Sequence, residues 1–137
     1  MITFATLKDA TAQQVFDQSV SRILAQGEKC MADTYTGPAC AYRDDYWELA
    51  CAAGHLMSDE EAKVLMLQLC NTGCGSDRAW HTITGEPMEA MPHKKLVREL
   101  QGVHDGWPIK DWPEQFHHLA VSRNLNSDVI TAWRATQ

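Results

Sequence analysis

The sequence predicts one mainly helical α+β domain spanning residues 1–137, with about five helices and one small β-hairpin. Three observations carry that expectation. Capping signatures recur at Thr11–Gln14, Ser58–Glu61 and Asp111–Glu114, and apolar residues follow each at helical spacing. Between the first two lies an aromatic-rich stretch, Cys40 to Cys51, with an Asp-rich centre. The length suits a single hydrophobic core, and no repeat, low-complexity tract or linker marks a boundary.

The elements follow in order. Thr11 and Gln14 form a capping box, in which hydroxyl and amide satisfy two orphan backbone donors. Val15, Phe16, Val20, Ile23 and Leu24 then make one apolar helix face, and Gly27 suits a left-handed stop. After Gly37-Pro38, the runs Ala39–Tyr42 and Tyr46–Cys51 flank Arg43-Asp44-Asp45 and read as a hairpin. Such a pair is barely stable alone, so it must pack on the helices. Ser58–Glu61 starts a second helix, and the apolar run Val64 to Cys70 suggests that it is central and buried.

Gly73 and Gly75 end that helix, and residues 76–92 read as irregular, with Gly85, Pro87 and Pro92. A further helix should start near Pro92, bury Leu96, Val97, Leu100, Val103 and His104, and stop at Gly106 and Pro108. Asp111-Trp-Pro-Glu114 opens the next, with proline in the first turn where its missing N–H costs nothing. Asn124 suits its C-terminal stop, and Ser127 could cap a last short helix holding Val129, Ile130 and Trp133.

Composition narrows the function classes. Apolar content of 45% with 22% charged residues is that of a soluble globular chain. No apolar run approaches the roughly 20 residues of a membrane helix. The first residues lack the basic and apolar regions of a signal peptide, so a cytoplasm is expected. Five cysteines at irregular spacing do not read as a disulfide framework, and buried thiols are expected. A net charge of -6 argues against nucleic acid as a general partner.

The residues Cys40-Ala-Tyr-Arg43, Cys51-Ala-Ala-Gly-His-Leu-Met-Ser-Asp-Glu-Glu61 and Leu100-Gln-Gly-Val-His-Asp105, followed by Trp112-Pro-Glu114, carry a resemblance. In that order they resemble a family of small bacteriophage and prophage proteins that brings no catalytic mechanism with it. This chain departs from the family pattern where Ser58 replaces a proline, where Arg43 precedes Asp-Asp rather than Gly-Pro, and at Cys70–Cys74. The resemblance implies a phage gene product acting inside a bacterium.

Several constellations invite chemistry. Cys70 and Cys74 have a zinc-ligand spacing, with His81 nearby, but no second close pair completes a tetrahedral set. No metal or cofactor is therefore expected. Cys51 and His55 lie next to a helix start as a thiol and a base would, yet no hydrolase motif surrounds them. Ala52, Ala53 and Gly54 more simply let the chain pass close to a helix.

His104 and Asp105 are neighbours on a helix, about 100° apart, and so are expected to serve structure rather than form a dyad. Residues 119–134 have the spacing of a helix-turn-helix, with Ser127, Asp128, Thr131 and Arg134 on the outer face. An aspartate there repels phosphate, and Arg123 and Arg134 are the cations of the segment. Trp80, Trp107 and Trp112 lie in or beside expected loops, as loop anchors or interface contacts do.

The reading that best fits these residues is a non-catalytic, phage-type accessory protein. It binds a host bacterial protein, a defence component being the obvious class, and inhibits or redirects it. The expected contact surface is Tyr42, Asp44, Asp45, Tyr46, Trp47 and Glu48, whose acids would meet a basic site on the target. A DNA-binding regulator working through 119–134 and a Cys/His- or metal-dependent enzyme are the alternatives.

Overall fold

A computed structural model describes all of residues 1–137. Six α-helices and one two-stranded antiparallel hairpin build a single domain, as the sequence predicts. Helix α1 (Ala12–Gln26) is its spine. The Thr11–Gln14 capping box forms with both reciprocal bonds, and Gly27 takes the left-handed stop at φ 69. Its buried face is Val15, Phe16, Val20, Ile23 and Leu24, together with Ser19, whose hydroxyl donates to the Ala52 carbonyl.

The hairpin forms earlier in the chain than the aromatic pattern suggests. Strand β1 (Met31–Thr34) pairs with β2 (Gly37–Cys40), in the register Met31↔Cys40 to Thr34↔Gly37. Residues 43–50 instead form a loop closed by a single bridge, Arg43↔Ala50. Asp44 is the reason. Its carboxylate accepts the Glu48 and Leu49 N–H groups, leaving the loop's backbone donors with an acceptor other than a facing strand.

Helix α2 (Asp59–Leu67) begins with the Ser58–Glu61 capping box. Glu61 also accepts the Phe4 and Ala5 N–H groups, which ties the N-terminal segment and its buried Phe4 to this helix. The expected all-round burial of Val64–Cys70 does not occur. Ala62 and Leu65 are the buried residues of the helix, which ends at Leu67 with Leu67 and Leu69 in solvent.

Residues 76–84, expected to be irregular, form α3 (Ser76–Thr84). Its N-cap is Gly75, which contributes no side-chain cap, and Gly85 at φ 77 is its stop rather than part of a loop. Helix α4 (Lys94–Gly106) buries the five residues expected of it. Its N-cap, His93, is held in a left-handed conformation, with Nε2 donating to the Ala10 carbonyl at 2.7 Å.

Helices α5 (Trp112–Ser122) and α6 (Asp128–Arg134) complete the bundle, α6 lying against α1 and α5 against α4. Trp80 belongs to α3 and Trp112 to α5, so neither is a loop residue, and both are buried. No helix is long and apolar enough to cross a membrane.

Candidate functional site

The segment from Ala41 to Met57 is organised by one buried cation. Arg43 sends Nη1 to the Tyr42 and Gly54 carbonyls, at 3.1 and 2.6 Å, and Nη2 to the Met57 carbonyl at 3.1 Å. Asp59, at 3.6 Å, supplies the opposite charge from the first turn of α2. A buried guanidinium with its donors satisfied in this way fixes the chain around it. Gly54 must be glycine here, because a Cβ would collide with the Tyr42 carbonyl oxygen and lie 2.9 Å from the Arg43 guanidinium.

Asn71 joins a second segment to this centre. Its Oδ1 accepts the Arg43 N–H at 3.1 Å and its Nδ2 donates to the Arg43 carbonyl at 2.9 Å. Two exposed apolar groups leave the junction in different chain directions. On one side is the loop carrying Tyr46 and Trp47; on the other is the end of α2, carrying Leu67 and Leu69.

Both groups contain a bulky residue on left-handed backbone: Trp47 at φ 58 and Leu69 at φ 54. At Leu69 the geometry is a Schellman motif, with Cys70 N–H to the Leu65 carbonyl and Leu69 N–H to the Met66 carbonyl. That motif ordinarily places glycine where Leu69 stands. Leu69 is nevertheless 91% exposed.

The six residues expected to form a contact surface divide in two. Tyr42 is 5% exposed and donates its hydroxyl to the Cys74 carbonyl at 2.6 Å; Asp44 is 7% exposed and organises the loop. Burial raises the Tyr42 phenol. These two are buried and bonded within the chain, which corrects their expected place on an exposed surface. Asp45, Tyr46, Trp47 and Glu48 reach solvent. Leu67 and Leu69, which an apolar run made look like core, are exposed as well.

The cysteines divide into one disulfide and three free thiols. Cys70 and Cys74 are joined as a disulfide, not free thiols as expected; Gly73 at φ 75 turns the chain back and brings their Cα atoms to 5.6 Å. Cys51 is buried, its sulfur accepts the Gly54 N–H, and desolvation raises its pKa to about 12. His55 pairs instead with Gln26, Nε2 to Oε1 at 3.0 Å. Burial, then the charges of Arg43 and Arg22, lower its pKa to about 4. A thiol held protonated beside a base engaged elsewhere is not an activated nucleophile.

His104 and Asp105 do form the contact that their spacing argued against. Nδ1 of His104 lies 2.6 Å from Asp105 Oδ1, and Nε2 accepts the Cys30 N–H at 3.1 Å. A side chain at the last turn of α4 can bend toward its neighbour because the helix stops there. His104 is fully buried and stacks on Trp112 at 5.5 Å. Cys40 lies beside the pair, close enough that Cys40, His104 and Asp105 could share a metal ion. Both imidazole nitrogens are already engaged, however, so the trio reads as a hydrogen-bonded strut. Burial and the Asp105 charge raise the Cys40 thiol.

Residues 119–134 fold as the two helices expected, with Ala120 and Ile130 buried between them and the core. Arg123 is paired with the Glu99 carboxylate through Nε and Nη2, and that hydrogen bond raises the Arg123 pKa and lowers that of Glu99. Ser127 turns its hydroxyl to His117 Nδ1 at 2.9 Å rather than capping α6. Arg134 is left as the free cation of a face that also carries Asp128.

A mainly helical α+β domain with an exposed apolar junction is thus what the fold defines. Comparison with protein-family models, curated proteins and solved structures finds no match to the chain.

Proposed function

We propose that this chain is a non-catalytic accessory protein of phage type that binds a host bacterial protein in the cytoplasm and inhibits or redirects it, a defence component being the target class. The observation that carries the reading is the pair of exposed bulky residues on left-handed backbone, Trp47 and Leu69. Backbone of this kind costs on the order of 1–3 kcal/mol per residue and persists where function uses it. Tryptophan and tyrosine are enriched among the anchors of protein interfaces, and Trp47 stands beside the exposed Tyr46.

Asp45, Glu48, Asp59 and Glu60 are the exposed acids near these residues in the chain. They favour a basic partner, whose encounter such charges accelerate. The polar groups that catalysis would need are engaged in holding backbone, which supports binding over chemistry.

The test is an affinity capture from nuclease-treated bacterial lysate with the wild-type chain, Leu69→Gly and Trp47→Gly in parallel. A protein retained by wild type and lost by either variant is the expected result. The same proteins recovered with all three chains would overturn the assignment.

A further inference from the structure

A cleft of about 560 Å³ opens between the end of β2, the Asn71–Asp77 segment and α4. It shares Tyr42 and Asn71 with the Arg43 centre described above, but Tyr46, Trp47, Leu67 and Leu69 do not line it. One wall is the loop running into α3. The bridge between Ala41 and Thr72 turns the Gly73 N–H toward the Cys40 carbonyl, while the backbone N–H groups from Cys74 to Asp77 have no acceptor within the chain. A helix N-terminus offering free amides favours a negative group.

Ser76 adds an independent sign. It is 8% exposed, lines the cleft, and its hydroxyl makes no hydrogen bond. The oxygen itself is not closed off from solvent, so a group entering the cleft can meet it. Arg98 stands on the same cleft from α4, with Nη2 3.8 Å from Asp77 Oδ2, and two-thirds of its side chain is exposed and free to move.

The cleft also carries a negative pole. Asp105 takes the Gln101 Nε2 donor at 2.8 Å and the His104 donor on the same oxygen, Oδ1. Its Oδ2 receives no nitrogen donor from the chain. Burial alone would raise this carboxyl, but the hydrogen bond from His104, with those from Cys40 and Gln101, holds it below its ordinary value. Asp105 is therefore ionised at neutral pH. Two carboxylates, Asp77 and Asp105, face one guanidinium across the cleft, so a plain anion meets repulsion as well as attraction.

A ligand that carries both signs removes that conflict. We propose that this cleft binds a small zwitterion of the amino-acid or short-peptide class. Its carboxylate is met by the Cys74–Asp77 amides, the Ser76 hydroxyl and Arg98, and its ammonium by Asp105.

The test is an amide-resolved NMR titration of the full chain with the free α-amino acids and glycylglycine. N-acetylglycylglycine, whose ammonium is blocked, and acetate are the comparison probes. Saturable shifts of the Cys74–Asp77 amides are expected with at least one zwitterion. Ser76→Ala and Arg98→Gln should each weaken that binding about tenfold, as loss of one charge-assisted hydrogen bond does. Asp105→Asn should do the same, and the acetylated probe tests that contact on the unaltered chain. No saturable shift with any zwitterion at millimolar concentration overturns the proposal. So does equal binding of glycylglycine and its acetylated form, which would leave an anion site without a cation pole.

Discussion

Leu69→Gly should raise stability while weakening partner binding, and the opposite signs make it the most informative single change. Leu69 occupies a left-handed position at φ 54, a conformation that costs an L-residue about 1–2 kcal/mol and glycine almost nothing. The side chain is 91% exposed, so truncating it forfeits little packing. Glycine's greater freedom in the unfolded chain takes back about 0.5–1 kcal/mol. The net gain is about 0.5–1 kcal/mol, or roughly 2–5 °C in Tm for a domain of this size. Burying a leucine against a partner contributes about 1.5–3 kcal/mol, so affinity should fall roughly ten- to a hundredfold. Leu69→Ala separates the two effects, because it keeps the strain and loses the contact. Calorimetry of the three chains, with binding measured on the captured partner, provides both readouts. A lower Tm for Leu69→Gly refutes the strain argument, and unchanged affinity in both variants refutes the contact.

Three further outcomes follow from the same geometry. Gly54→Ala drives a methyl into the Tyr42 carbonyl and the Arg43 guanidinium, and should cost about 3 kcal/mol, seen as a Tm lower by roughly 10 °C; an unchanged Tm would show that the turn relaxes freely. His55, with a folded pKa lowered from 6.5 to about 4, stabilises the fold fully above pH 6.5. That contribution, on the order of 3 kcal/mol, is lost as pH falls from 6.5 toward 4, and denaturant titrations of His55→Gln should lack this part of the slope. Cys30 and Cys51, buried and raised, should resist a thiol reagent in the native protein at pH 8 and react in denaturant, with the half-buried Cys40 in between. Rapid native labelling of Cys51 would restore it as a nucleophile.

The helices were legible wherever local chemistry and core burial agreed. Two capping boxes formed bond for bond, and the apolar face of α4 was read residue by residue, His104 included. Reading failed where a local signal had two explanations. Gly75 and Gly85 bracket α3 as cap and stop, yet the same glycines read as loop when the helix between them is short and polar. Aromatic residues on both sides of the Asp-rich turn suit a hairpin, but strand pairing needs free backbone donors, and the Asp44 carboxylate had already taken those of Glu48 and Leu49. Meanwhile Met31–Thr34, with little apolar alternation, found its partner because the tight turn at residues 35–36 brought Gly37 back onto it.

The exposed junction was only half legible for a different reason: its residues are sorted by contacts between distant parts of the chain. Asp44 and Asp45 are identical neighbours, yet one is buried and organises a loop while the other lies in solvent. What separates them is the Arg43 backbone, clamped by Asn71 from 28 residues away and by the Ala50 bridge. The same clamp decides the fate of Leu69. An apolar run at the end of an amphipathic helix is core when the next residue continues inward. Here the chain must instead turn through a left-handed residue to deliver Asn71 to Arg43, and Leu69 is the residue on that turn. Its exposure is thus a consequence of satisfying a buried backbone. Leucine rather than glycine at that turn is a cost to the fold itself, one that replacement by glycine would relieve.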